Sequence, residues 1–371
     1  MTSIDLSTPL TTRATGRVER FGTIVVGGGQ AGLSAGYHLQ QHDVDFVIVD
    51  TQQRVGDVWR NRWDSLRLFT PAKYSGLPGM PFPACPDHLP DKDEVADYLE
   101  RYAERFDLPV RPGTRAESLA HDGERWIMRT SRGTLEANDV VVATGPFQRP
   151  KVPAVATRLD SGIHQLHSSD YRSPFDLPDG PVLVVGAGNS GAQIALELAR
   201  HRPVWLAGRD TGHLPRRLLG RDLFDWIWPA ARRLTVETRI GRRMRSSIRG
   251  GGDALIGIPE RVLVEAGVRR VGRVDEARDG LPVVDGATIR PSAIVWCTGF
   301  AADYSWIGAP VFDERGWPRH RRGVVTDAPG LYFLGLRFQY RLTSSLVGGV
   351  GDDAAYVAAQ VARRAEMAVA E

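Results

Sequence analysis

The sequence predicts an α/β fold made of two Rossmann-like units, the first of them interrupted in the chain by the second. Three observations predict it. Phe21 to Asp50 reads as strand, glycine-rich turn, helix and strand, and Pro181 to Arg209 repeats that order. Each stretch is about the ~30 residues of a βαβ unit. The run Val140-Val141-Val142-Ala143-Thr144-Gly145 has an echo in Ile294-Val295-Trp296-Cys297-Thr298-Gly299, each a buried strand closing on a Thr-Gly turn. Finally, Leu331 to Leu334 reads as one more strand, followed by a glycine-rich turn and a helix from about Gly351 to the end. Two such units with different companions argue for two Rossmann-like dinucleotide-binding domains, not one six-stranded domain. Residues 1–150 and 296–371 are then the two parts of a discontinuous first domain, with 151–295 as the second.

The intervening elements follow from local pattern. Pro71 to Pro90 is rich in proline and glycine and reads as loop. Asp93 to Phe106 has helical spacing, with Val95, Leu99 and Tyr102 on one face. Arg115 to Glu136 reads as a small β-meander with turns at Asp122-Gly123 and Arg132-Gly133.

Composition excludes several function classes. The chain has 371 residues, 42% of them hydrophobic and 25% charged, with a formal charge of +3. Its basic residues are spread along the chain, whereas a nucleic-acid footprint needs a clustered stripe. Lys73, Lys92 and Lys151 are the only lysines, so nearly all positive charge is guanidinium. Cys85 and Cys297 are far apart and in no C-x-x-C, which argues against a disulfide framework and a redox dithiol. Met1 to Arg20 is largely polar without an apolar core, and no apolar run approaches the ~18 residues of a membrane span. A cytoplasmic protein is expected, with no metal-ligand cluster and no Ser/His/Asp set. Its oligomeric state is open, with a homodimer among the possibilities.

The first glycine motif is Gly27-Gly28-Gly29-Gln30-Ala31-Gly32. Gly27 permits the tight turn and Gly29 lets a pyrophosphate approach the backbone. Gly32 lets strand and helix pack, and the helix N-terminus faces the phosphates. Asp50 stands at the end of the second strand, close to the expected ~20 residues downstream, where an acid binds ribose hydroxyls. An ordinary glycine-rich turn would not need that acid.

The second motif is Gly186-Ala187-Gly188-Asn189-Ser190-Gly191. Its second strand ends in Gly208-Arg209 with no carboxylate. A carboxylate would repel a 2′-phosphate, whereas a guanidinium can fork onto it, so NADPH is favoured over NADH. Asp210 keeps the alternative open, since it can serve the ribose of NADH, and Arg209 can also be a solvated loop cation.

These motifs, their order and the Thr-Gly turns resemble the flavin-containing monooxygenase family, with its plant and bacterial class B relatives, from Thr23 to about Val361. Gly56-Asp57-Val58-Trp59 resembles the segment that packs a tryptophan on the flavin, which places Val58 and Trp59 with the cofactor. Thr144 and Gly145 join the FAD set by the same resemblance. His167-Ser168-Ser169-Asp170-Tyr171 resembles the end of the fingerprint F-x-G-x-x-x-H-x-x-x-Y/F, although no phenylalanine precedes Gly162 and Gly162 stands one residue too far from His167. In the family His167 and Tyr171 link domains, and no proton transfer is assigned to them. Leu331 to Leu336 and Gly348 to Gly351 resemble the closing FAD strand and turn.

The resemblance implies FAD and NADPH as cofactors, with O2 and a small organic molecule as substrates. It implies a C4a-hydroperoxyflavin that delivers oxygen to a nucleophilic sulfur or nitrogen. Baeyer–Villiger relatives usually end the fingerprint in tryptophan, so Tyr171 points toward heteroatom oxygenation. The asparagine that animal-type members of the family carry near the reactive flavin carbon is missing from Leu66-Arg67-Leu68-Phe69-Thr70-Pro71. Thr70 is the candidate to replace it, as a peroxide donor or as a turn cap. Rival readings are an uncoupled NADPH oxidase, a ketone monooxygenase and a low-turnover flavin-binding regulator. Phe224, Trp226 and Trp228 read as core packing, or else as a substrate entrance or membrane contact.

Overall fold

The computed structural model describes residues 18–250 and 254–370. Residues 1–17, most of the segment read as lacking an apolar leader, lie outside the described residues.

Apolar β-branched runs form the centre of the first sheet. Its parallel part is β1 (Val18–Val26), β2 (Phe46–Val49) and β3 (Val110–Arg111), with helix α1 (Gln30–Gln41) as the crossover from β1 to β2. Two further helices lie between β2 and β3: the short α2 (Asp57–Arg60) and α3 (Lys92–Arg105). Asp91 caps α3 in a capping box with Glu94, which satisfies amides the helix leaves free. Val95, Leu99 and Tyr102 are buried, as the helical spacing predicts.

The meander consists of β4 (Ala116–His121), β5 (Trp126–Thr130) and β6 (Gly133–Val142), paired antiparallel. Here the structure differs from the reading of two separate strands, because the last meander strand and the Val140 run are one ten-residue strand. One flank of β6 lies parallel along β1. Its other flank is shared, with β5 taking residues 133–137 and the closing strand Leu331–Phe333 pairing parallel with residues 140–142. Asp139 sits in this fork with Arg364 of the final helix, Gly351–Ala370, 3.3 Å away.

The second sheet is wholly parallel and draws on residues 164–296. Strands β8 (His164–His167), β9 (Val182–Val185) and β10 (Val204–Ala207) join Val268–Val271 and Ala293–Trp296. From edge to edge the order is Val268–Val271, β10, β9, Ala293–Trp296, β8. Strand β8 carries the fingerprint residue His167 into this sheet, a role that the sequence pattern did not signal. Helix α4 (Asn189–Leu198) crosses from β9 to β10. Two more helices, α5 (Leu223–Arg233) and α6 (Arg239–Gly250), occupy the excursion that follows β10. The two crossings between the sheets run side by side, β7 (Arg149–Pro150) pairing antiparallel with Phe300–Ala301. Among the described residues no helix is long and apolar enough to cross a membrane.

Candidate functional site

The two glycine turns are built alike, down to their dihedral angles. Gly27 and Gly186 both have φ of +113°, a conformation that side-chain-bearing residues rarely adopt. Gly29 and Gly188, which cap α1 and α4, both have φ −82° and ψ −171°. A Cβ on Gly32 would lie 1.8 Å from the Gly27 carbonyl oxygen, and one on Gly191 1.8 Å from that of Gly186. The third glycine of each motif is therefore what lets the helix begin against its own turn.

Each turn also rests on its own Thr-Gly partner. The Ala143 amide donates to the Val26 carbonyl at 2.8 Å, and the Cys297 amide to the Val185 carbonyl at 2.7 Å. A Cβ on Gly27 would meet the Ala143 carbonyl oxygen at 2.6 Å, and one on Gly186 that of Cys297 at 2.2 Å. Beyond Gly29 and Gly188, by contrast, a Cβ would meet nothing within 4 Å. Two helix N-termini thus face open space with their first amides, the geometry that receives a pyrophosphate. Gln30, Ala31, Asn189 and Ser190 form the opening residues of these helices. The side chain of Asn189 is committed within the chain, donating to the Ala254 carbonyl at 3.1 Å and accepting from the Ile256 amide at 2.9 Å.

The ends of the second strands set the two turns apart. Asp50 accepts from the Gly28 amide and, at 2.7 Å, from the Gln52 amide. Burial pushes its carboxyl above the usual range, and these two amides pull against that shift. In the second unit Gly208 follows β10 as Asp50 follows β2. Its φ is +146°, and a Cβ there would lie 2.9 Å from the Ala187 nitrogen. The exposed Arg209 comes next, while Asp210 turns one oxygen into its own loop, accepting from the Gly212 amide at 2.8 Å. Arg270, on the neighbouring strand, places Nη2 3.4 Å from the Gly208 carbonyl, and its buried Nη1 has no partner. Sequence reading missed Arg270, because 62 residues separate it from Gly208 and only strand pairing joins them.

The loop after α2 ties the units together. Trp59 is half-buried, with its indole nitrogen buried and without a partner, while Val58 is exposed. Gln193 of α4 holds the backbone of Arg67 from both sides, accepting from its amide at 3.3 Å and donating to its carbonyl at 3.1 Å. Arg216 donates to the Phe69 carbonyl at 2.5 Å. Phe224 stacks on Phe69 at 6.1 Å between ring centroids, and Trp228 on Tyr74 at 4.9 Å. Phe224 is buried, Trp228 half-buried and Trp226 exposed, so the aromatic segment divides between packing and surface. Beside Tyr74 and Trp228 opens a cleft of about 490 Å³, lined also by Lys73, Leu77, Phe82 and Gly348.

Thr70 is buried with its hydroxyl 3.1 Å from Ser75 Oγ, which also reaches the Pro71 carbonyl at 3.0 Å. The hydroxyl that reaches the turn carbonyls is that of Ser75, and Thr70 meets it side chain to side chain. His167 places Nε2 3.0 Å from the Gly299 carbonyl and Nδ1 3.0 Å from Ser169 Oγ, and burial lowers its pKa. Tyr171 is fully buried and donates to Glu197 of α4 at 2.7 Å. Both residues are spent on internal contacts. Gln148, another residue without a sequence signal, donates to Thr144 Oγ1 at 2.8 Å and the Gly145 carbonyl at 2.7 Å. It also accepts from the Asp303 amide, joining the first Thr-Gly turn to the returning chain.

Both cysteines are free, and burial pushes the Cys297 thiol up to about 12. Among the described residues no group of three or more His, Cys, Asp or Glu is arranged to hold a metal.

Comparison with known proteins adds four findings. The family model described as pyridine nucleotide-disulphide oxidoreductase matches residues 24–232. A CzcO-like oxidoreductase of Geobacillus kaustophilus is 44% identical over 338 residues, covering 90% of this chain and 96% of that protein. The probable indole-3-pyruvate monooxygenase YUCCA9 of Arabidopsis thaliana is 29% identical, with 80% of each chain covered. Among solved structures, the flavin-containing monooxygenase from Stenotrophomonas maltophilia superposes with a TM-score of 0.76 at 26% identity, covering 94% of this chain and 99% of that one.

Proposed function

Because the chain belongs to the pyridine nucleotide-disulphide oxidoreductase family and matches flavin monooxygenases along most of its length, we propose that it is an FAD-dependent, NADPH-using monooxygenase. Its reaction transfers one atom of O2 to a nucleophilic sulfur or nitrogen of a small organic substrate. The other oxygen atom leaves as water, with both electrons drawn from NADPH.

The observation that carries this reading is the pair of matched turns with unmatched second strands. FAD fits the first turn. Gly27, Gly29, Gln30, Ala31 and Gly32 would face its pyrophosphate, and Asp50 its adenosine ribose. Thr144 and Gly145 stand beside that turn, and the partnerless Trp59 indole N–H offers a donor to the cofactor. NADPH fits the second turn, with Gly186, Gly188, Asn189, Ser190 and Gly191 at the pyrophosphate. Gly208 leaves no carboxylate beside the ribose, and Arg209 and Arg270 supply guanidinium groups for a 2′-phosphate.

Bound FAD supplies the redox and oxygen-activating chemistry. The chain's own residues bind, orient and exclude water. Gln193 and Arg216 fix the loop Leu66–Pro71, Phe224 stacks on its Phe69, and Trp228 packs on Tyr74 just beyond it. His167 links the units through the Gly299 carbonyl, while Tyr171 fixes α4 through Glu197 inside the second unit. We take residues 1–150 and 296–371 as the FAD-binding domain and 151–295 as the NADPH-binding domain.

The test is product identification after incubating the protein with FAD, NADPH and a mixture of thioethers, tertiary amines, cyclic ketones and indole-3-pyruvate. Sulfoxides or N-oxides are the expected products. Lactones alone, or indole-3-acetate alone, would overturn the choice of soft nucleophile but keep the cofactors.

A further inference from the structure

The excursion between His213 and Gly250 presents a surface that folding alone does not explain. Arg217–Leu218 pairs with Arg221–Asp222 as a small hairpin, and Leu219-Gly220 forms its two-residue turn. Both turn residues have positive φ, +50° and +77°. Such turns ordinarily take Asn, Asp or Gly at the first position, because side-chain-bearing residues are penalised there. Leu219 is nevertheless leucine, and it is 82% exposed. The fold therefore bears a strained backbone and gains no burial in return.

Its neighbours have the same character. Leu218 is 45% exposed and Trp226 43%, and the Trp226 indole N–H donates to the Leu218 carbonyl at 3.0 Å, which fixes the ring against the hairpin. The Arg221 guanidinium lies 5.7 Å from that ring, and exposed Arg217 flanks the tip. Charge along the excursion is one-sided, with ten arginines against three carboxylates between residues 213 and 250. Helix α6 alone carries five arginines and no acid, with Ile240 64% exposed.

An apolar tip with an indole beside it and guanidinium groups around it matches one partner chemistry. Leucines enter the acyl boundary, the indole sits at headgroup level and arginines meet lipid phosphates. We propose that this hairpin and the adjoining arginine-rich helix dock the protein peripherally on an anionic lipid bilayer. The opposite face of α5 bears Phe224 and Trp228, which pack on Phe69 and Tyr74 at the cleft.

The test is sedimentation of the FAD-loaded protein with vesicles of phosphatidylcholine alone, or of phosphatidylcholine and phosphatidylglycerol in equal parts, at low and at physiological salt. Binding to the anionic vesicles is expected, weakened by salt, with little binding to phosphatidylcholine alone. Leu219→Asn suits the turn, so the hairpin is kept while the apolar tip is lost. Its affinity for anionic vesicles should fall about tenfold, and Arg217→Gln with Arg221→Gln should remove much of the salt sensitivity. Failure to sediment with anionic vesicles at low salt would overturn the proposal. So would unchanged binding by Leu219→Asn. A concentration-dependent dimer that Leu219→Asn dissociates, without vesicle binding, would assign the surface to a second copy instead.

Discussion

Asp50 and Gly208 occupy equivalent positions, each directly after the second strand of its unit, and only Asp50 brings a carboxyl to its turn. Asp50 closes the first turn with a carboxylate that accepts from the Gly28 and Gln52 amides. Gly208 closes the second with no side chain, in a conformation that leaves a Cβ 2.9 Å from the Ala187 nitrogen. Two turns with matching dihedral angles thereby end in different chemistry, a carboxylate at the first and no side chain at the second.

The first prediction concerns Asp50. The purified protein should be yellow and should release FAD rather than FMN, since the carboxylate has a ribose to hold only when the adenosine half is present. Loss of a hydrogen bond to a charged group costs about 1.5–3 kcal/mol, so Asp50→Ala should weaken FAD binding roughly ten- to a hundredfold. Titrating FAD into apoprotein and chromatographing the released cofactor check both statements. Release of FMN would remove the assignment of the first turn.

The second prediction concerns coenzyme choice. Arg209→Ala and Arg270→Ala should each raise KM for NADPH about tenfold or more, and leave KM for NADH nearly unchanged. Steady-state kinetics with both coenzymes reads this directly. Equal losses with NADPH and NADH would mean that these arginines support the loop and do not read the 2′-phosphate.

A third expectation is poor coupling between NADPH oxidation and substrate oxygenation. The asparagine of animal-type flavin-containing monooxygenases is missing from the stretch Leu66–Pro71, and the Thr70 hydroxyl is engaged with Ser75. An oxygen-activating flavin site that lacks a dedicated donor loses hydrogen peroxide when water reaches it. A large share of the NADPH consumed should therefore appear as hydrogen peroxide, measured beside sulfoxide yield. Thr70→Val should cost about 0.5–1.5 kcal/mol of stability and leave that share unchanged. Tight stoichiometry between NADPH used and sulfoxide formed would refute the expectation.

A fourth concerns stability against pH. Burial pushes the Asp139 carboxyl up to about 6, with Arg364 pulling against that shift. A carboxyl raised on folding favours the folded state when protonated. Its penalty therefore grows as pH rises from about 4, the ordinary Asp value, through about 6. Asp139→Asn mimics the protonated form and should stabilise the protein by about 1–3 kcal/mol at pH 8. The gain should vanish near pH 4. Urea unfolding midpoints across that range measure it, and a gain that is independent of pH would contradict the assignment.

Sequence alone determined the features that backbone sterics dictate locally. Only glycine serves where a Cβ would lie 1.8 Å from the turn's own carbonyl oxygen, as at Gly32 and Gly191, or where φ is +113°, as at Gly27 and Gly186, so these residues were legible as two motifs. The helix of Val95, Leu99 and Tyr102 was legible because its period is local. Tertiary structure decided whatever depends on strands meeting across the chain. Parallel pairing set Arg270 beside Gly208 across 62 residues, and the fork of β6 merged a meander strand with a nucleotide-fold strand. The contact of Thr70 with Ser75 and the grip of Gln193 on Arg67 arise the same way, from side chains brought together by packing. A glycine motif is written in consecutive residues because its constraint is a backbone clash within one turn. A partner on a neighbouring strand or helix is chosen by the global fold, and no spacing along the chain records it.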